Sequence, residues 1–151
     1  MQSVNLEQKQ NNWHGTFNAM ASPCEVIIET DDRDEAEIIV KAVATEAWRI
    51  EKKFSRYRDD NITFKINNSN GNTIEVDAET ARLLDFSDQL FHMSDGMFDV
   101  TSGVLRKAWR FDQGNNIPSQ SQIDELLAVI GWDKVNWNNP RLELVPGMEI
   151  D

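Results

Sequence analysis

Asp95-Gly96-Met97-Phe98-Asp99-Val100-Thr101-Ser102-Gly103-Val104-Leu105, closed by Trp109-Arg110-Phe111, is the stretch that decides how this chain is read. Gly96 ends one helical pattern as its C′ residue, because glycine takes a left-handed backbone with no Cβ penalty. The Thr101 and Ser102 hydroxyls can cap the helix that follows. Between the two helices a tight connection carries a thioether (Met97), an aromatic ring (Phe98) and a carboxylate (Asp99). Three contact chemistries on one rigid connection suit a ligand that is part ring and part polar chain.

Upstream of this stretch, Asp77 is a helix cap, and Ala81, Leu83, Leu84, Phe86, Leu90, Phe91 and Met93 give the segment from Ala78 to Ser94 a broad apolar side. Farther back, Asp31-Asp32 with Glu35 is a start signal of capping-box type. Ala36, Ile39, Val40, Val43, Ala47, Ile50 and Phe54 then recur at helical spacing. Before that helix, His14 to Met20 and Cys24 to Thr30 read as an antiparallel pair turning at Ala21-Ser22-Pro23. Residues 1–12, rich in Gln and Asn, read as a flexible tail. Thr73 to Val76 is a short strand. Downstream, a short helix from Ser102 to Trp109 is followed by a break at Gln113-Gly114-Asn115-Asn116 and Pro118. Ser119 with Gln122 then starts a helix that ends at Gly131. Lys134 to Trp137 and Leu142 to Val145 read as strands turning at Asn138-Asn139-Pro140, and Met148 to Asp151 begins another. Helices and strands mix without steady βαβ alternation, so the class is α+β, an antiparallel or mixed sheet with packed helices.

A chain of 151 residues with 40% hydrophobic content and five Trp can bury a core without staples. Net charge of -11 argues against nucleic acid or an anionic membrane as partner, since both need clustered Lys and Arg. The one basic cluster, Lys52-Lys53 with Arg56 and Arg58, reads as a solvated helix end, where cations meet the negative dipole terminus. The single Cys24 opens an apolar run and reads as a buried strand thiol. No targeting signal stands in the sequence, so as written it reads as cytoplasmic; removal of a signal peptide beforehand would place it in the periplasm instead.

Dinucleotide-fold and phosphate-loop glycine patterns, nucleophile elbows and zinc-binding helices are all missing. His14 and His92 lack metal-ligand spacing, and His92, between Phe91 and Met93, reads as a half-buried structural residue. Asp34, Glu35, Glu37, Glu46, Asp124 and Glu125 fall on polar helix faces. Three places remain. In Ala19-Met20-Ala21-Ser22-Pro23, small residues admit a ligand to the backbone and Met20 offers a polarisable surface; an ordinary hairpin turn with a core Met fits equally. In Phe54-Ser55-Arg56-Tyr57, Tyr57 can stack on a ring or cap the core. In Met97-Phe98-Asp99, the carboxylate can bind a nucleotide's donors or serve as a backbone cap.

Together and in order, these places resemble the ApbE family, the FAD:protein FMN transferases. Asp95 to Trp109 is close to the family's Gly-(Ala/Met)-(Phe/Met)-Asp-x-Thr-x-Gly-x-Leu…Trp-x-Phe signature. Ala19-Met20-Ala21-Ser22 is similar to its Met-Gly-Thr strand turn, with Ala and Ser replacing Gly and Thr. Phe54-Ser55-Arg56-Tyr57…Asp60-Asn61…Lys65-Ile66-Asn67 is similar to a second block, with Asn61 where the family has Ser. Pro118-Ser119…Ile123 and Val129-Ile130-Gly131 match a weaker helix.

The resemblance implies that residues 13–151 form the N-terminal portion of an ApbE-like, T-fold-like domain, with Met20, Tyr57, Met97, Phe98 and Asp99 as FAD contacts. It implies Mg²⁺-dependent movement of FMN from FAD to a Thr hydroxyl of a target protein, with AMP released. In the family the metal ligands and an Asp-(Leu/Phe)-Gly-Gly-x-(Ala/Gly)-Lys-Gly-Tyr block begin near the residue matching Asp151. The metal ligands are therefore expected outside these residues, the catalytic residues stay unassigned, and the 151-residue chain alone is expected to neither hydrolyse FAD nor transfer FMN. An unpaired final strand further implies self-association through that edge, or lower stability of the isolated piece. Two other readings stay open: a flavin-binding protein without turnover or with FAD pyrophosphatase activity, and an acidic domain that mediates protein contacts.

Overall fold

A computed structural model describes residues 2–109 and 117–151, so the break at Gln113 to Asn116 and the Arg110-Phe111 end of the central motif lie outside the described residues. The chain divides into two units, Met1–Asn61 and Ile62–Asp151.

In the first unit, β1 (Asn5–Lys9), β2 (Asn12–Ala19) and β3 (Ser22–Ile28) pair antiparallel in that order. The register sets Leu6 and Val26 opposite Gly15, and Asn5 and Glu25 opposite Thr16. The expected tail of residues 1–12 therefore contains a strand. An edge strand needs only one apolar residue in two, and Val4 and Leu6 supply it by packing against the core between polar neighbours. The hairpin turns at Met20 and Ala21, whose φ angles of 53° and 57° are both left-handed, and Pro23 lies inside β3 opposite Asn18. The turn thus falls earlier than Ala21-Ser22-Pro23. Two positive φ angles give a tight turn the twist that antiparallel strands need, at a cost for residues with a Cβ.

Asp32 caps α1 (Arg33–Phe54), its Oδ1 accepting from the backbone N–H groups of Asp34 (2.8 Å) and Glu35 (3.4 Å). The Glu35 carboxylate takes the Thr30 hydroxyl at 2.6 Å. Ala36, Val40 and Ala44 are buried against Phe17, Ala19 and Ile28, and Trp48 meets Phe17 edge-on with its indole N–H donating to the Asn18 carbonyl. Gly15 is where the helix seats: a Cβ there would overlap the Val40 side chain. Cys24 stands half-buried in β3.

On the sheet, His14 Nδ1 lies 2.7 Å from Glu25 Oε1, and Lys9 Nζ lies 3.9 Å from the same atom. The His14 hydrogen bond, then the charges of His14 and Lys9, hold the Glu25 carboxyl below its usual range. Such a carboxylate supports the fold above the unfolded-state pKa and loses that support as pH falls through the lowered one.

The second unit contains α2 (Ile62–Asn67), β4 (Ile74–Glu75), α3 (Ala78–Met93), a 3₁₀ turn (Gly103–Lys107), α4 (Gln120–Leu127), a second 3₁₀ turn (Trp132–Lys134), β5 (Asn136–Asn138) and β6 (Arg141–Glu143). The strands pair antiparallel in the order β4-β6-β5. Asp77 caps α3 by accepting from Glu79 N and Thr80 N, and Ser119 with Gln122 forms the reciprocal box that opens α4. Ile66, Val76, Ala81, Leu84, Trp132, Leu142, Leu144, Met148 and Ile150 form the core.

Several expectations change in this unit. The helix expected from Ser102 to Trp109 is a 3₁₀ turn over Gly103–Lys107, and Gly103 lies so close to Glu149 and Ile150 that a Cβ would sit 2.8 Å from the Glu149 carbonyl oxygen. Met148 to Asp151 forms no strand; Glu149 makes one parallel bridge with Ser102, and the Asn67 side-chain amide brackets Ile150, accepting from its N–H and donating to its C=O. His92 is exposed, since it follows Phe91, which packs on the core, and one residue of helical rotation turns it outward to within 3.4 Å of Asp88.

Gly15→Ala is expected to lower stability by about 1–3 kcal/mol through overpacking, with partial recovery on adding Val40→Ala, as read by urea unfolding. Glu25→Gln is expected to flatten the acid limb of thermal stability below the ordinary Glu titration range; an unchanged profile would oppose this.

Candidate functional site

The central connection is built by its two ends. α3 stops in a double left-handed exit, Asp95 at φ 52° and Gly96 at φ 79°. The Gly96 N–H reaches the Phe91 carbonyl (2.9 Å) and the Asp95 N–H the His92 carbonyl (3.4 Å), the paired bonds of a Schellman motif. Asp95 is therefore the C′ residue and Gly96 the one after it. Ser94 ties the exit to the connection: its Oγ donates to the Phe91 carbonyl (3.3 Å) and accepts the Phe98 N–H (2.9 Å).

At the other end Asp99 holds the chain. Its Oδ1 accepts the Thr101 N–H (2.8 Å) and hydroxyl (2.6 Å), and its Oδ2 accepts the Trp132 N–H (3.2 Å). Thr101 is fully buried, and its hydroxyl oxygen takes the N–H of Gly131 at 2.9 Å. The hydroxyls expected to cap the following helix do otherwise: Ser102 occupies the cap position without a side-chain bond, and Thr101 is spent on Asp99 and Gly131. Trp132 is fixed from a second direction, its indole N–H donating to Asp88 at 2.7 Å.

What this frame leaves outward is apolar. Met97 is 89% exposed and Phe98 43% exposed, although large apolar side chains gain by leaving water. In the first unit, Met20 at the β2–β3 turn is 55% exposed, which excludes the core-Met alternative. Tyr57 follows the C-terminus of α1 and is 81% exposed, so it does not cap the core. The Arg56 guanidinium lies 5.0 Å from the Tyr57 ring centroid and donates to its hydroxyl at 2.8 Å, which orients the ring. Arg58 is paired with Asp60 through two bonds of 2.8 and 2.7 Å, each group reinforcing the charge of the other: the Asp60 carboxyl is held below, and the Arg58 guanidinium above, its usual range.

Met97, Phe98 and Asp99 thus share one connection of the second unit, while Met20 and Tyr57 belong to the first. Ser94, Thr101, Gly131 and Trp132, which frame that connection, were missed as site-forming residues. Asp99-x-Thr101 is a side-chain-to-backbone turn pattern that could have pointed to two of them. Among the described residues, no three His, Cys, Asp or Glu gather to hold a metal.

Met97→Ala is expected to change stability by less than about 0.5 kcal/mol in thermal unfolding, as for any side chain outside the core; a large loss would place Met97 in a structural role.

The ApbE family model matches residues 20–151. Among solved structures, an ApbE protein of Thermotoga maritima MSB8 is 27% identical, with a TM-score of 0.80 over 93% of this chain and 47% of that one. The apo flavinyl transferase ApbE of Pseudomonas stutzeri is 25% identical, with a TM-score of 0.77 over 100% of this chain and 48% of that one. The flavin transferase ApbE of Vibrio cholerae shares the fold at a TM-score of 0.68 and 16% identity, over 100% and 48%. The chain spans about half the length of these solved relatives. No curated protein matches the chain.

Proposed function

Because the chain belongs to the ApbE family, we propose that the protein carrying it binds FAD and transfers the FMN moiety to a Thr hydroxyl of a target protein, releasing AMP. The match over residues 20–151 carries this reading, since it takes in Met20, Tyr57 and the Met97-Phe98-Asp99 connection. The exposed apolar side chains of each unit, Met20 and Tyr57 in the first and Met97 and Phe98 in the second, support it. Covering them with ring systems would remove from water the surface that this chain leaves out.

In the proposed reaction the acceptor hydroxyl oxygen attacks the phosphorus of the FMN half. A new P–O bond forms as the bridging P–O bond breaks, AMP departs with the electron pair, and a base takes the hydroxyl proton. Water in place of the hydroxyl would yield FMN and AMP. Mg²⁺ would neutralise charge on the diphosphate. We assign Met20, Tyr57, Met97 and Phe98 to the binding and orientation of the dinucleotide.

The test uses the purified protein with FAD, Mg²⁺ and a Thr-bearing acceptor. Saturable quenching of flavin fluorescence, AMP release and an FMN mass increment on the acceptor are expected. AMP without a modified acceptor would mean pyrophosphatase activity, binding without AMP a flavin carrier, and no flavin binding would overturn the reading. Tyr57→Ala and Met97→Ala are each expected to weaken FAD binding about tenfold, from lost stacking and burial.

A further inference from the structure

We infer that Thr101 and Asp99 act together as positioning residues, setting the backbone from which Met97 and Phe98 meet the ligand; the inference rests on the flavin-binding reading above. Thr101 is fully buried and can touch no ligand. Its hydroxyl nevertheless occupies the centre of the local network, donating to Asp99 at 2.6 Å and accepting from Gly131 at 2.9 Å. Asp99 accepts three donors from within the protein, two from Thr101 and one from Trp132. A carboxylate has room for about four, so most of its capacity is committed before any ligand arrives.

The geometry explains why both partners are needed. The connection leaves α3 through two left-handed residues and is gripped first by Ser94 at the Phe98 N–H. Its far side is joined to the Gly131-Trp132 segment only by the Thr101 hydroxyl and the Asp99 carboxylate among the bonds described. Gly131 is buried, so its N–H loses its partner if the hydroxyl is removed. Ser94 holds the N–H groups of Met97 (3.1 Å, through its carbonyl) and Phe98 (2.9 Å, through its Oγ) on the near side, and Phe98 directly precedes Asp99, so a shift at Asp99 acts on Phe98 first and on Met97 through it.

The test compares Thr101→Val, which keeps the shape and removes the hydroxyl, with Thr101→Ser, which keeps the hydroxyl, in the intact protein. FAD binding is read by fluorescence titration and folding by thermal unfolding. Thr101→Val is expected to weaken FAD binding about tenfold, from one unsatisfied buried donor and the displaced connection, while Thr101→Ser binds within about twofold of the parent. Asp99→Ala is expected to weaken binding by a similar factor, and the Asp99→Ala/Thr101→Val double variant by little more, because both break one unit. If Thr101→Val folds and binds FAD as the parent does while Asp99→Ala weakens it, Asp99 is a direct contact and the inference fails. Should Thr101→Val not fold, the Asp99→Ala and Thr101→Ser pair decides: a Thr101→Ser loss equal to that of Asp99→Ala overturns the inference. Absence of FAD binding by the parent would defeat the flavin reading itself, a distinct outcome.

Discussion

A carboxylate taken partly out of water must find donors, and the second unit is arranged around how Asp99 finds them. Its two oxygens draw in Thr101 from its own connection and Trp132 from a segment more than thirty residues later. Charge-assisted bonds of this kind are stronger than neutral ones, and they leave few alternative arrangements for the backbone between them. Trp132 in turn delivers its indole N–H to Asp88, so α3, the connection and the segment at Gly131 are bound through two acidic side chains. Trp137 repeats the device with Asp85, which also takes the Asn139 amide. Trp132 and Trp137 therefore pack in the core and carry polar links at once.

The first unit rests on a different constraint, the close approach of a helix to a sheet. Gly15 has no side chain, and Val40 occupies the space that one would need. Ala36 and Ala44 flank Val40 on the same face, so small residues on the helix and a glycine on the strand bring the two layers together over Phe17 and Ile28. The Met20-Ala21 turn beyond β2 keeps its apolar side chain outside this contact, in keeping with a surface reserved for something other than the core.

Local signals carried much of this. Asp32, Asp77 and the Ser119/Gln122 pair announced three helix starts because a cap is a bond between residues two or three apart. The apolar periodicity of α1 and α3 and the distinctive run from Asp95 to Leu105 pointed to the α+β class and to the family without any knowledge of long-range contacts. Other elements gave no such signal. β1 lies in a Gln- and Asn-rich stretch and exists because β2 offers it a ladder. Met148 to Asp151 has a strand-like composition but makes only one bridge, with Ser102, and one backbone bond to Val100, while the Asn67 side chain takes both backbone groups of Ile150. His92 lost its expected burial to a single residue of helical rotation, which short-range pattern resolves poorly.

By itself, the sequence determined the class of fold, three helix starts, the family and the residue types that stand at the β2–β3 turn, after α1 and after α3, because each depends on a short piece of chain. Tertiary structure alone decided which of those residues face outward and which are consumed. Met97 and Phe98 stay exposed while the neighbouring Asp99 and Thr101 turn inward, since their partners, Gly131 and Trp132, stand about thirty residues away. Donor and acceptor pairing across that distance is a property of packing, and no local pattern encodes it.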